Sequence, residues 1–92
     1  MIRMPRFAIE IKKSAEKELA RLPKRERARF VQPINALADD PLRPRSGVDI
    51  KRLKGTRALY RLRVGDYRGI YEIEGARVIF TRFGHRSKIY DV

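Results

Sequence analysis

Lys51-Arg52-Leu53-Lys54-Gly55-Thr56-Arg57-Ala58-Leu59-Tyr60-Arg61-Leu62-Arg63-Val64-Gly65-Asp66-Tyr67-Arg68 carries, in eighteen residues, both the strand pattern and the charge pattern of this chain. Tyr60, Leu62 and Val64 alternate with Arg61 and Arg63. Successive side chains of a strand point to opposite faces, so one row is expected to be buried and two guanidinium groups to stand on the other face. Gly65-Asp66 is a hairpin turn signal, and Tyr67-Arg68 opens the next apolar run. Arginines set side by side on paired strands form a platform with the geometry of phosphate recognition. A strand's outer face must nevertheless be polar in some way, and these three arginines by themselves fit a solvated face equally well.

Strand patterns crowd together downstream, at Ala58–Val64, Tyr67–Glu74 and Arg77–Phe83, with Gly75-Ala76 as a second turn and a short extended tail at Lys88–Tyr90. Upstream, Leu42–Ile50 follows Pro41, contains Pro44 and Gly47, and reads as a surface loop. Phe7, Ile9 and Ile11 alternate with Arg6, Ala8, Glu10 and Lys12, which gives a first strand with one buried face. Ser14 then stands where an N-cap belongs, Glu16 and Glu18 suit the positive end of a helix, and Ala15, Leu19 and Leu22 recur at helical spacing. Pro23 can open a second helix, whose stripe is Phe30, Ile34 and Leu37 with Val31 and Ala38 beside it. Pro33 should bend or split that helix, and Asp39-Asp40-Pro41 ends it. The order predicts an α+β domain spanning residues 1–92: a twisted antiparallel β-sheet of about four strands with an N-terminal helical hairpin packed on it.

A chain of 92 residues has material for one core. Its 23 Lys and Arg residues against 11 acidic ones give a formal net charge of +12. That excess favours polyanions through counterion release, and it suits an acidic protein or an anionic membrane surface as well. No apolar run approaches the ~18–20 residues of a membrane span, and no signal segment opens the chain, so a soluble, cytoplasmic protein is expected. The absence of cysteine excludes disulfides, thiolate zinc sites and cysteine nucleophiles, and a lone histidine, His85, excludes a multi-histidine metal site.

The basic residues fall into two groups. Those from Lys12 to Arg29 are interleaved with Glu16, Glu18 and Glu26, as on a solvated helix face. Those from Arg43 to Arg68 number nine and are opposed only by Asp49 and Asp66. Gly84-His85-Arg86-Ser87-Lys88-Ile89-Tyr90 then packs an imidazole, a guanidinium, an ammonium and a phenol into seven residues, which a meander can return beside the Arg61–Arg63 strand. Cleavage of RNA by its own 2′-hydroxyl needs a group to take that proton, cations around the crowded phosphorus and an acid for the leaving oxygen. The cluster offers candidates for all three without a metal. A turn histidine and a core-closing tyrosine are the plainer readings of His85 and Tyr90. Nothing in the sequence cradles a nucleotide phosphate. Ser14, Ser46 and Ser87 lack a nucleophile-elbow context, Asp39-Asp40 reads as a helix end, and Glu72 with Glu74 as a solvated strand face.

Over nearly its full length the chain resembles the RelE toxins of the RelE/ParE superfamily of toxin–antitoxin pairs. The likeness rests on the leading strand, the helix hairpin, Lys51-x-Leu53-x-Gly55, Tyr60-Arg61-Leu62-Arg63, Gly65-Asp66-Tyr67-Arg68-x-Ile70-Tyr71 and the closing Gly84–Tyr90 segment. The resemblance implies a RelE-like microbial RNase fold and a ribosome-dependent mRNA endonuclease that cuts the codon in the A site without a cofactor. It implies as catalytic Arg61 and Arg63 near the scissile phosphate, Arg68 as transition-state stabiliser, Arg86 as the C-terminal catalytic arginine and Tyr90 as the terminal tyrosine on the substrate nucleotide. Lys51, Arg52, Lys54, Arg57 and Lys88 would contact RNA or ribosome.

Some members carry lysines where this chain has Arg61 and Arg63. Arginine hardly deprotonates near neutral pH, so His85 becomes the candidate base. No helix is expected after Tyr90, hence no autoregulation by such a helix. The partners implied are a RelB-like antitoxin, the ribosome and mRNA, with no membrane and no small-molecule cofactor. The alternatives are a ParE-like inhibitor of DNA gyrase, which shares the fold without the full Arg/Tyr set, and a non-catalytic RNA- or antitoxin-binding member.

Overall fold

A computed structural model describes residues 6–55 and 58–89. Its elements run β1 (Ala8–Ile11), α1 (Lys13–Ala20), α2 (Lys24–Ala28), α3 (Val31–Leu37), β2 (Asp49–Arg52), β3 (Leu59–Val64), β4 (Tyr67–Glu74) and β5 (Arg77–His85). The expected α+β class is the one found, with the helices on one face of the sheet. β3, β4 and β5 form the meander that their alternation predicts. Val64 pairs with Tyr67 across the Gly65-Asp66 turn, and Glu74 with Arg77 across Gly75-Ala76. Gly65 and Gly75 have φ of 61° and 59°, the left-handed backbone that such tight turns demand.

The sheet is neither four-stranded nor wholly antiparallel. Among the described residues five strands lie in the order β1-β5-β4-β3-β2, and β1 runs parallel to β5, with Ala8 opposite Arg77 and Ile11 opposite Phe80. Alternation identifies a strand but says nothing about its partner or direction, and β1 takes the edge of β5 because the helices intervene before β2. The expected loop at Leu42–Ile50 also needs correction at its end. Asp49 and Ile50 enter β2, which pairs with β3, while Val48 and Ile50 are buried. The alternating pair Val48 and Ile50 was present there, but it is too short to stand out beside Pro44 and the flanking charges.

α1 starts two residues earlier than Ser14 suggests. Lys12 is its N-cap residue, and its N–H is already tied to the Phe80 carbonyl at 3.0 Å, so the chain passes from strand to helix without a side-chain cap. Ala15, fully buried, lets α1 lie close over β5. Glu18 accepts the Phe83 N–H at 3.0 Å and faces Arg82 Nε at 3.3 Å. The second helix divides at Arg29–Phe30, so that Pro33 falls in the first turn of α3, where a missing N–H leaves no helical bond unmade. At the other end Arg45 donates to the carbonyls of Ala36 (2.8 Å) and Asp40 (3.0 Å), a cation at a helix C-terminus.

The core lies between the helices and the sheet and is largely aromatic. Phe80 and Phe83 stack at 5.0 Å, Phe30 meets Phe83 edge-on at 5.4 Å, and Tyr71 stacks on Tyr60 at 5.3 Å. Each such ring contributes roughly 1.5–3 kcal/mol by burial, and each pair adds about 0.5–1.5 kcal/mol. The Tyr71 hydroxyl donates to the Pro41 carbonyl at 2.7 Å and holds down the loop after α3. Burial pushes that phenol well above its usual range. Among the described residues no helix is long and apolar enough to cross a membrane.

Candidate functional site

The face of the sheet turned away from the helices carries the basic residues in two neighbouring cross-strand rows. Asp49, Arg63, Arg68 and Gly84 form one row across β2, β3, β4 and β5, and Lys51, Arg61 and Ile70 form the next. Arg61, Arg63 and Arg68 are thereby placed together, two residues apart along β3 and directly opposed between β3 and β4. They share the face that alternation assigned to them, but it is not an open one. Leu53, Ile70 and Ile89, with Leu59 beside them, form a second, smaller apolar cluster on it. Arg61 and Arg68 are each only 9% exposed, whereas the Arg63 side chain retains 52%.

A carboxylate stands between the first two arginines. Asp49 Oδ1 accepts from Arg61 Nη2 at 3.1 Å and Asp49 Oδ2 from Arg63 Nε at 2.6 Å. Beside that row, the Gly65-Asp66 turn gathers three further guanidinium groups. Arg68 Nη1 donates to the carbonyls of Gly65 and Tyr67, both at 3.1 Å. The Arg86 N–H donates to the Asp66 carbonyl at 2.8 Å, and Arg86 Nε lies 3.9 Å from Asp66 Oδ1. Arg29, the C-cap residue of α2, reaches so near that a Cβ on Gly65 would stand 2.7 Å from its Nη1. A groove of about 490 Å³ opens here, lined by Arg29, Gln32, Gly47, Asp49, Arg63 and Gly65 among others.

His85 is not brought to the arginine face. It pairs with Tyr67 in the row of Val64, which belongs to the helix side, and its ring meets that of Tyr67 edge-on at 5.3 Å. Its Nδ1 accepts the Ser87 N–H at 3.1 Å, with the Ser87 hydroxyl at 2.9 Å. A backbone N–H can only donate, so the neutral imidazole carries its own proton on Nε2. In this geometry His85 presents its Nε2–H to anything beyond it.

The closing segment is not the extended tail expected at Lys88–Tyr90. Lys88 and Ile89 both donate their N–H to the His85 carbonyl, at 2.8 and 3.2 Å, making a turn that folds Ile89 back onto Gly84. Lys51, Arg52, Lys54 and Lys88 are exposed, Lys51 on the edge strand opposite Arg61. Arg57 and Tyr90 lie outside the described residues. Sequence reasoning missed Asp49 and Arg29. An acid inside a basic run and a basic residue on a polar helix look like ordinary solvated charge, and only strand register and helix packing bring them to the site.

Among the described residues no three His, Asp or Glu side chains are placed to hold a metal ion. The family model described as the ParE toxin of the type II toxin–antitoxin system, parDE, matches residues 9–90. A relative from Methanocaldococcus jannaschii that carries the name RelE1 is 33% identical over 87 residues, covering 92% of this chain and 96% of its own. The toxin RelE3 of the same organism is 50% identical over 44 residues, a match spanning 48% of this chain and 50% of the relative. Among solved structures, the archaeal RelE–RelB complex of Pyrococcus horikoshii OT3 contains a chain that superposes with a TM-score of 0.75 at 32% identity, over 91% of this chain and 99% of that one.

Proposed function

The chain belongs to the RelE toxin family of type II toxin–antitoxin systems, and from that membership we propose that it is a ribosome-dependent mRNA endonuclease acting on the codon in the A site. The observation that carries this reading is the meeting of Arg61, Arg63 and Arg68 on one sheet face, with Arg86 held at the adjoining turn. Four guanidinium groups from three segments converge where a phosphodiester gathers negative charge as it is attacked.

In the reaction the 2′-oxygen gives its proton to solvent water and bonds to phosphorus, closing a 2′,3′-cyclic phosphate. The bond to the 5′-oxygen of the next nucleotide breaks, and that oxygen takes a proton from solvent. Arg63, the most exposed of the three sheet arginines, binds the scissile phosphate. Arg61 and Arg68 are set beside it, held by Asp49 and by the turn carbonyls, and supply preorganised positive charge that costs little rearrangement as the transition state forms. Arg86 completes the cationic rim, and Tyr90 stacks on the substrate nucleotide. His85 enters as an Nε2–H donor and not as the base. Lys51, Arg52, Lys54, Arg57 and Lys88 contact RNA and ribosome, which places the protein in the cytoplasm. A RelB-like antitoxin is the partner that restrains it, as the archaeal RelE–RelB complex suggests by its composition.

Purified protein added to ribosomes programmed with a defined message tests this reading. The expected outcome is cleavage within the A-site codon, lost in Arg63→Ala and Arg86→Ala. A message left intact, under conditions in which an established RelE cuts it, rejects the reading. The ParE description of the matching family model supports one competitor, inhibition of DNA gyrase. Gyrase-dependent breakage of supercoiled DNA with undisturbed translation is its signature.

A further inference from the structure

Only two acidic residues interrupt the nine basic ones between Arg43 and Arg68, and the fold delivers both to arginines of the site: Asp66 to Arg86, and Asp49 to Arg61 and Arg63 together. The second arrangement is the more specific. Asp49 opens β2 directly opposite Arg63, and its two oxygens engage different guanidinium groups, at 3.1 and 2.6 Å. One anion with two oxygens between two cations is also how a phosphate is held.

The two halves of this bridge are unequal. The Arg61 side chain is 11% exposed, so its contact with Asp49 lies in a poorly solvated place where a guanidinium needs a partner. The Arg63 side chain is 52% exposed and Asp49 42%, and a pair so open to water is worth little and exchanges readily. We propose that Asp49 is a positioning residue: it anchors Arg61, aligns Arg63 beside it on β3, and releases Arg63 to the incoming RNA phosphate. Asp49 thus occupies in the resting protein the place that a phosphate oxygen takes in the complex. The bridge also offsets repulsion between two like charges on one strand face, so the pair is set before substrate arrives. This rests on the RNA-cleaving reading above, although its binding half can be tested without ribosomes.

The test compares the wild type, Asp49→Asn and, as a control for net charge, Asp39→Asn, which removes an exposed acid beyond the end of α3. Affinity for a short single-stranded RNA is measured by fluorescence anisotropy, and turnover on saturating programmed ribosomes by cleavage. Asp49→Asn should bind RNA about tenfold more tightly than Asp39→Asn, the scale of one charge-assisted contact freed from competition. Its turnover should nevertheless fall about tenfold, since Arg61 and Arg63 lose alignment. Asp49→Glu, which keeps the charge, should restore part of the turnover.

A second measurement uses the wild type alone and covers the case in which Asp49→Asn does not fold. The Arg63 Nε–H resonance should shift on titration with the same RNA while that of Arg61 stays in place. Equal behaviour of the two Asn variants, or an Arg63 signal unmoved at saturating RNA, overturns the proposal. If the Arg63 signal shifts and affinity responds but programmed ribosomes leave the message uncut, the enzymatic reading fails while the phosphate exchange at Asp49 stands. If cleavage proceeds and the Asp49 variants match the control, only the role of Asp49 is lost.

Discussion

On the helix side of the sheet, Tyr60, Leu62 and Val64 of β3 meet a continuous aromatic core, and Leu62, Tyr71, Phe80 and Val78 have no exposed surface. On the other side, one residue out of phase along the same strand, Arg61 and Arg63 meet Asp49, with three buried aliphatics for company. The same backbone therefore serves two purposes that conflict chemically. The first face stabilises by removing apolar surface from water. The second concentrates like charge, which is unfavourable unless ion pairs and carbonyls hold it. A small domain can carry the second face only because the first supplies the stability.

The contrast is open to attack in order of expected effect. Phe83→Ala removes a ring that touches both Phe30 and Phe80 and should cost about 3–5 kcal/mol, read as a fall in the urea midpoint. Ile89→Ala, in the small cluster, should cost about 2 kcal/mol, the low end for such truncations. A loss as large as that of Phe83→Ala would make the second face a core in its own right. Arg63→Ala should change stability by less than about 1 kcal/mol, because its ion pair is exposed. The same change should flatten the slope of log affinity for single-stranded RNA against log salt by about 0.7.

Titration sharpens the contrast further. Burial raises the Tyr71 phenol, so the folded state resists its ionisation. Its contribution is complete below the unfolded value of about 10 and erodes as pH rises toward the folded one. Tyr71→Phe should remove this alkaline loss from a stability–pH curve. The smallest effect belongs to Glu10, whose carboxyl is lowered by hydrogen bonding to Arg77 on the adjoining strand. Its stabilisation is present above an unfolded value of about 4.3 and is lost as pH falls through the folded one. Glu10→Gln should trim the acid limb of the same curve.

Much of the fold was legible because burial imposes periodicity. The alternation at Tyr60–Val64, the two glycine turns and the Phe30, Ile34, Leu37 stripe each record which side of an element meets the core. β1 was legible as a strand but not as a parallel partner of β5, and β2 was hidden in a segment rich in proline and charge. In the site, the arginines were identifiable by residue type and spacing. Their surroundings were not. That the arginine face is not an open one depends in part on Ile89 returning to join Leu53 and Ile70, and the face on which His85 stands depends on its pairing with Tyr67.

What the sequence by itself determined is the α+β class, the meander and the presence of a dense cationic strand face, since all three follow from local alternation, turn chemistry and charge count. Tertiary structure alone decided which cations stay exposed, which carboxylate stands between them and on which face the imidazole stands. Those properties depend on distances between residues far apart in the chain, and pairing register and packing set such distances where local pattern cannot.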